Sequence, residues 1–109
     1  MADTLKVLGQ SFPVAGILTD AYTVPAATQA VVSTIVVCNQ GASVAKFRIS
    51  VAVAGAADAP SQYLRYDVPV AGNDGFDITI GVTLGATDVI RVYSDTGSVS
   101  FNIVGVQVA

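Results

Sequence analysis

The chain has 109 residues, of which 52% are hydrophobic and 12% charged, with a formal net charge of −3. This length fits one domain with a single core, and the charged fraction is low against about 25% in a typical soluble domain. The sequence contains no His and one Cys, which excludes a Ser-His or Cys-His catalytic pair and a zinc site. The few Lys and Arg residues are scattered, so the basic cluster of a nucleic-acid-binding or membrane-surface protein is also missing.

The scarcity of charge leaves two interpretations of the surface. The first is a water-exposed surface of small polar residues with Gly and Ala. The second, which we favour, is that part of the apolar excess is buried against other subunits, since interface cores are depleted in charge.

The most apolar stretch does not predict a membrane helix. It covers residues 30–38 and is interrupted by Ser33 and Thr34, far short of the roughly 20 residues that a spanning helix needs. The opening residues carry an acid and no long apolar run, so we expect no signal peptide. The single Cys38 cannot form an internal disulfide, which indicates synthesis in a reducing cytoplasm.

Strand-forming residues dominate the chain, and Gly, Pro, Asn and Asp interrupt them at short intervals. This pattern predicts eight β-strands, and residues 1–11 are expected to form an N-terminal arm or edge strand before a single domain over 12–109. Many short strands indicate an antiparallel β-sandwich, and two similar corners at 22–27 and 66–71 favour an eight-stranded jelly roll. The predicted strands cover residues 4–10, 17–24, 29–39, 44–53, 62–68, 75–80, 88–94 and 98–108.

Several elements carry more detailed expectations. The third strand is apolar on both faces, which suits a central strand or one covered by a partner, and Cys38 in it is interpreted as a small buried hydrophobe. Residues 54–61 are expected to be a structureless, mobile surface loop, and Pro69 is expected to end the fifth strand. A tight hairpin at 95–97 joins the last two strands, and a change of alternation beside Gly105 predicts a bulge or twist.

The acidic residues offer little chemistry. Asp74 and Asp77 are the nearest close pair, but one lies in a predicted turn and the other is expected to face solvent, so catalysis is not predicted. The loop aspartates lack the alternating spacing of a calcium loop, and the glycines do not form a phosphate loop. We therefore expect neither an enzyme, nor a metal site, nor a cofactor.

The tyrosines are the best candidates for binding. Tyr63 is expected to share a strand face with Arg65, opposite Leu64 and Tyr66. Tyrosine serves as an interface anchor, and exposed tyrosines also bind sugars on sandwich folds. We rank the interface above the sugar site, and keep a carbohydrate-binding module carried by Tyr63 and Tyr93 as an alternative of a different class.

Several segments, taken in order, resemble small all-β virion proteins of tailed bacteriophages over most of the chain; they are residues 5–10, 22–25, 36–41, 47–51 and 101–106. The resemblance implies a structural role and no catalytic residues. It implies a capsid cement or decoration protein that forms a homotrimer or dimer in the virion and bridges subunits of the major capsid protein. The alternative is a small tail, baseplate or fibre-associated protein that binds other virion proteins.

Candidate interface residues follow from these arguments. The residues before Phe12 and Pro13 are expected to form an arm that pairs with a neighbour by strand addition. The two-faced third strand, the loop 54–61 and the tyrosine segments supply the remaining contacts. The predicted set is Leu5, Val7, Leu8, Phe12, Val32, Val36, Tyr63, Arg65 and Tyr93.

Overall fold

A computed structural model describes residues 3–109, and its regular structure is almost entirely extended. Two short 3-10 turns, Val53–Gly55 and Pro60–Gln62, interrupt the loop between the fourth and fifth strands. No helix within 3–109 is long and apolar enough to cross a membrane. The strands are β1 (Asp3–Ser11), β2 (Thr19–Thr23), β3 (Gln29–Asn39), β4 (Ala45–Ala52), β5 (Tyr63–Val70), β6 (Asp74–Leu84), β7 (Val89–Ser94) and β8 (Val99–Val108).

The strands form two four-stranded antiparallel sheets that pack face to face, so the predicted all-β sandwich is confirmed. The first sheet has the order β1-β8-β3-β6, and the second has the order β2-β7-β4-β5. Within these sheets β1 pairs with β8, β2 with β7, β3 with β6 and β4 with β5. This nested pairing brings the two halves of the chain together strand by strand.

The core lies between the sheets and is filled by the inward residues of the alternating strands. In β4, Phe47 and Ile49 are fully buried, as the alternation of Phe47, Ile49, Val51 and Val53 in the sequence predicts. The alternation does not extend to Val53, which is 67% exposed in the first 3-10 turn. The Phe47 ring lies 6.0 Å from that of Phe101 on β8, in an edge-to-face arrangement. Because the two rings come from different sheets, they connect the two halves of the core.

Strand β8 keeps one alternation along its whole length, so the predicted change of phase is wrong. Ile103 and Gly105 both face inward, while Val104 and Val106 are half-buried on the other side. The irregularities lie in the neighbouring strands instead, at residue 8 in β1 and residue 33 in β3. Gly105 is required because a Cβ there would collide with the backbone carbonyl of Val31.

Two predicted strand ends and one predicted connection are corrected. β5 continues through Pro69, which an edge strand tolerates because one side of its backbone needs no ladder partner. β6 extends to Leu84, with Gly81 supplying a positive φ of 61° inside it. The turn at 95–97 joins β7 of one sheet to β8 of the other, so it is a connection between sheets and not a hairpin.

The loop between β4 and β5 is exposed but not structureless, which corrects the prediction for 54–61. Arg91 donates from Nη1 to the carbonyl oxygen of Ala56 at 2.8 Å and from Nη2 to that of Gly55 at 3.3 Å. The Ala54 N–H donates to Asp88 Oδ1 at 2.9 Å. These bonds hold the loop against β7.

Candidate binding surfaces

The outward side of the first sheet carries a continuous uncharged patch, which we call the apolar face. Leu5 on β1, Val106 on β8 and Val31 on β3 lie side by side across the sheet, because Leu5 pairs with Val106 and Val106 pairs with Val31. Leu5 is 82% exposed, although a buried leucine would gain about 1.5–3 kcal/mol. The apolar face consists of Leu5, Val7, Val31, Val104, Val106 and Val108.

The predicted interface residues of the first sheet do not all lie on the apolar face. Leu5 and Val7 lie on the apolar face, and Val36 is half-buried on the same side of the sheet beside Asn102. Leu8 sits at the β1 irregularity and packs against the core, while Phe12 is exposed just beyond the end of β1.

Two predictions about β3 are corrected. Val32 is 0% exposed because its side chain points between the sheets, so it cannot contact a partner. Cys38, expected to be buried, is exposed because it lies on the opposite, outward face of the same strand. Both outcomes follow from the alternation of β3, which is buried on one side and half-exposed on the other.

Strand β1 forms one edge of the first sheet, and it pairs with β8 along its length. The other three edges carry features that discourage pairing. β2 has only five residues, β5 contains Pro69, and β6 exposes Asp74 and Asp77. β1 also exposes Asp3 and Lys6, but it is nine residues long, regular up to Val7 and free of proline, and its two charges have opposite signs, so it is the edge best suited to accept another strand.

The outward side of the second sheet carries a cluster centred on Arg48 of β4, which we call the Tyr–Arg cluster. The guanidinium lies between the rings of Tyr66 and Tyr93, at 4.2 and 4.3 Å from their centroids. Arg48 also donates from Nε and Nη2 to the two carboxylate oxygens of Asp67, at 2.7 and 3.3 Å. Hydrogen bonding to Arg48 lowers the pKa of the Asp67 carboxyl and raises that of the guanidinium.

The expected pairing of Tyr63 with Arg65 is wrong. Tyr63 instead meets Tyr66, with ring centroids 5.1 Å apart and planes at 88°. Arg65 lines a separate depression with Phe76 at the margin of the two sheets. The reason is that the β4–β5 register shifts twice, between residues 47 and 49 and again between 49 and 50, which breaks the alternation of β5.

A cleft of about 430 Å³ opens beside the Tyr–Arg cluster, between β5 and the fixed loop. Burial, followed by the neighbouring Asp58 carboxylate, raises the pKa of the Tyr63 hydroxyl. Asp58 and Pro60 belong to the loop 54–61, which was predicted as a contact element, but nothing in the sequence shows that this loop folds back onto the sheet. The cleft is lined by Arg48, Asp58, Ala59, Pro60, Tyr63 and Tyr66.

The chemistry available on these surfaces is binding chemistry. Across residues 3–109, no three His, Cys, Asp or Glu side chains gather closely enough to hold a metal ion. Arg48, which lines the cleft, forms an ion pair with Asp67 just outside it, and Asp58 lies beside the Tyr63 hydroxyl. No protein-family model matches the chain, and a comparison with curated proteins finds no relative. The resemblance to phage virion proteins therefore stays a prediction.

Proposed function

We propose that this protein is a structural virion protein of the capsid cement type, which binds the major capsid protein through the apolar face. The observation that carries the proposal is the exposure of Leu5 and Val7 in an apolar patch, with the charged residues of the same sheet face, Asp3 and Asp77, at its margins. A patch of this kind is typical of the centre of a protein interface. The resemblance to phage virion proteins supplies the identity of the partner.

The proposed mechanism is the addition of interface area between capsid subunits. Burial of apolar surface contributes roughly 25 cal/mol per Å² before the cost of association is subtracted. The unpaired edge of β1 offers main-chain hydrogen-bonding groups next to the apolar face, so one partner strand could pair with this edge and also contact the apolar face. Many copies on one shell would then resist internal pressure together.

The nested strand order also supports the finer fold proposal. Two intertwined Greek keys rolled into eight strands define a jelly roll. The pairs β1–β8, β2–β7, β3–β6 and β4–β5 are those expected when one long folded hairpin is rolled up. We therefore propose a jelly roll as the topology of this sandwich.

Reconstitution onto capsid shells tests the function. Purified shells that lack this protein are incubated with the wild-type chain, with Leu5→Asp, or with Val14→Asp, and the bound fraction is measured after sedimentation. Val14 is a matched control because it is 71% exposed but lies outside the apolar face. We expect wild type and Val14→Asp to bind at saturation and Leu5→Asp to bind poorly.

The number of copies in intact particles separates the two structural alternatives. A cement protein should be present in hundreds of copies, and a tail or baseplate component in few, as counted by quantitative mass spectrometry of purified virions. Failure of the wild-type chain to bind shells, or equal binding by Leu5→Asp, would contradict the cement proposal.

A further inference from the structure

We propose that the cleft between β5 and the loop 53–62 is a binding site for a neutral saccharide. The cleft lies on the second sheet, on the side of the sandwich opposite the apolar face. Its volume of about 430 Å³ is within the range of small-ligand sites. The inference goes beyond the proposed capsid function and does not depend on it.

The walls of the cleft are fixed before any ligand arrives. On one side, Arg48 is held by Asp67 and by the ring of Tyr66. On the other side, Gln62 Nε2 donates to the carbonyl oxygen of Ala57 at 2.8 Å. The Arg91 bonds to the loop carbonyls anchor the same segment. A preformed site avoids the entropic cost of ordering a loop on binding.

The residues that line the cleft can contact both the apolar C–H face and the hydroxyl groups of a sugar ring. Tyr63 and Tyr66 stand at right angles and, with Pro60, offer apolar surface for the C–H face of a pyranose. The Asp58 carboxylate is a strong acceptor for hydroxyl groups. The Tyr63 hydroxyl is protonated at neutral pH, as a tyrosine with an ordinary pKa of about 10 is, so this group can donate.

The charges at the cleft favour a neutral ligand over an anionic one. Arg48 donates from two guanidinium nitrogens to the Asp67 carboxylate, so this pair adds little net charge to the wall. Asp58 would repel a phosphate, a sulfate or a sialic acid. A ligand that offers hydroxyl groups and no net charge avoids this repulsion and can hydrogen-bond to the Asp58 carboxylate.

Unpaired polar atoms lie at the base of the same loop. Ser50 Oγ and Gln62 Oε1 are buried and have no hydrogen-bond partner among the described residues. Gln62 precedes Tyr63 in the chain, and Ser50 pairs with Tyr63 in the strand register. Buried polar groups are normally satisfied, so this junction has spare hydrogen-bonding capacity beside the cleft.

The test is binding of the full chain to an array of neutral, sialylated and sulfated oligosaccharides, followed by titration calorimetry with the best neutral ligand. We expect selective binding to neutral glycans. Asp58→Ala and Tyr66→Ala should each weaken the affinity by roughly tenfold or more, since each removes a direct ligand contact. Asp77→Ala removes the same charge from an exposed strand position outside the cleft and should leave the affinity within about twofold.

Thermal unfolding of each variant shows whether it folds, and Tyr63→Phe provides a milder probe that removes only one hydroxyl. Three outcomes would overturn the proposal: no binding to any neutral glycan, binding confined to sialylated or sulfated glycans, and equal loss of affinity in Asp58→Ala and Asp77→Ala. Each of these outcomes leaves the capsid proposal standing, because that proposal concerns the opposite sheet.

Discussion

Ser98 donates a hydrogen bond from Oγ to the Asn39 Oδ1 atom at 2.8 Å, and this bond joins the start of β8 to the end of β3. The same buried amide donates from Nδ2 to the carbonyl oxygens of Ser43 at 2.8 Å and Val70 at 3.2 Å. Asn39 is 0% exposed, so one side chain ties the first sheet to the end of β5 in the second sheet.

We therefore expect Asn39→Ala to lower the free energy of unfolding by about 2–4 kcal/mol, because several buried backbone groups lose their partner. Urea denaturation measures the change. Asn102→Ala is the matched control, since its amide oxygen accepts one exposed bond from Gln10, and it should cost less than about 1 kcal/mol. Equal stability of the two variants would show that the Asn39 network is not important.

The sequence predicts the strands well because each strand's own residues determine its alternation, as Phe47 and Ile49 show in β4. It fails where the result depends on a neighbouring strand. Gly105 was interpreted as a bulge in β8, whereas the irregularities lie in β1 and β3. Asn39 was interpreted only as a strand end, because three of its five partners, Val70, Ala71 and Ser98, come from distant parts of the chain.

The candidate sites show the same limit. Leu5, Val7 and Leu8 were predicted together as contacts of an N-terminal arm, but only Leu5 and Val7 share the outward face, since Leu8 packs against the core. Tyr63 was paired with Arg65 because an unbroken alternation was assumed, and the register shifts of β5 against β4 place it against Tyr66. The loop that carries Asp58 was predicted as a contact element, but the position of Asp58 against β5 could not be predicted, since only the folded loop brings it there.

Gly105→Ala should lower the free energy of unfolding by about 2–3 kcal/mol. The new methyl group would collide with the Val31 carbonyl, and the strands would have to separate. Gly97→Ala is the control, because the nearest atom to its added Cβ lies 3.8 Å away, and it should change stability by less than about 0.5 kcal/mol. Chemical denaturation of both variants measures the difference, and a tolerated Gly105→Ala would contradict the close approach of β8 and β3.

The ion pair of Arg48 and Asp67 predicts a dependence of stability on pH. Because the pKa of Asp67 is lowered in the fold, the folded state binds fewer protons than the unfolded state, and the pair stabilises the protein above the ordinary carboxyl pKa of 3.8. This stabilisation is lost as the pH falls below that value. The melting temperature of Asp67→Asn should therefore lie below that of wild type at neutral pH, and the two should converge in acid.

A double variant checks that Arg48 is the cause. Arg48→Met keeps an unbranched apolar side chain beside the tyrosine rings and removes the guanidinium that lies between them. In the Arg48→Met background, Asp67→Asn should no longer lower the melting temperature at neutral pH by an amount that disappears in acid. If the pH-dependent difference in melting temperature persists without Arg48, the pH dependence belongs to another group.

The last prediction concerns self-association through β1. Two β1 edges can pair antiparallel with Leu5 opposite Leu5, which places Lys6 of each strand across from Thr4. A pairing centred on Lys6 would set two like charges face to face, which is unfavourable. The first arrangement also joins the two apolar faces side by side.

We expect the wild-type chain to associate with rising concentration, as measured by sedimentation velocity. Leu5→Asp should remain monomeric at the same concentrations, with stability within about 0.5 kcal/mol of wild type because Leu5 is exposed. Val14→Asp adds the same charge elsewhere and should associate like wild type, so equal behaviour of the two variants would contradict pairing through this edge.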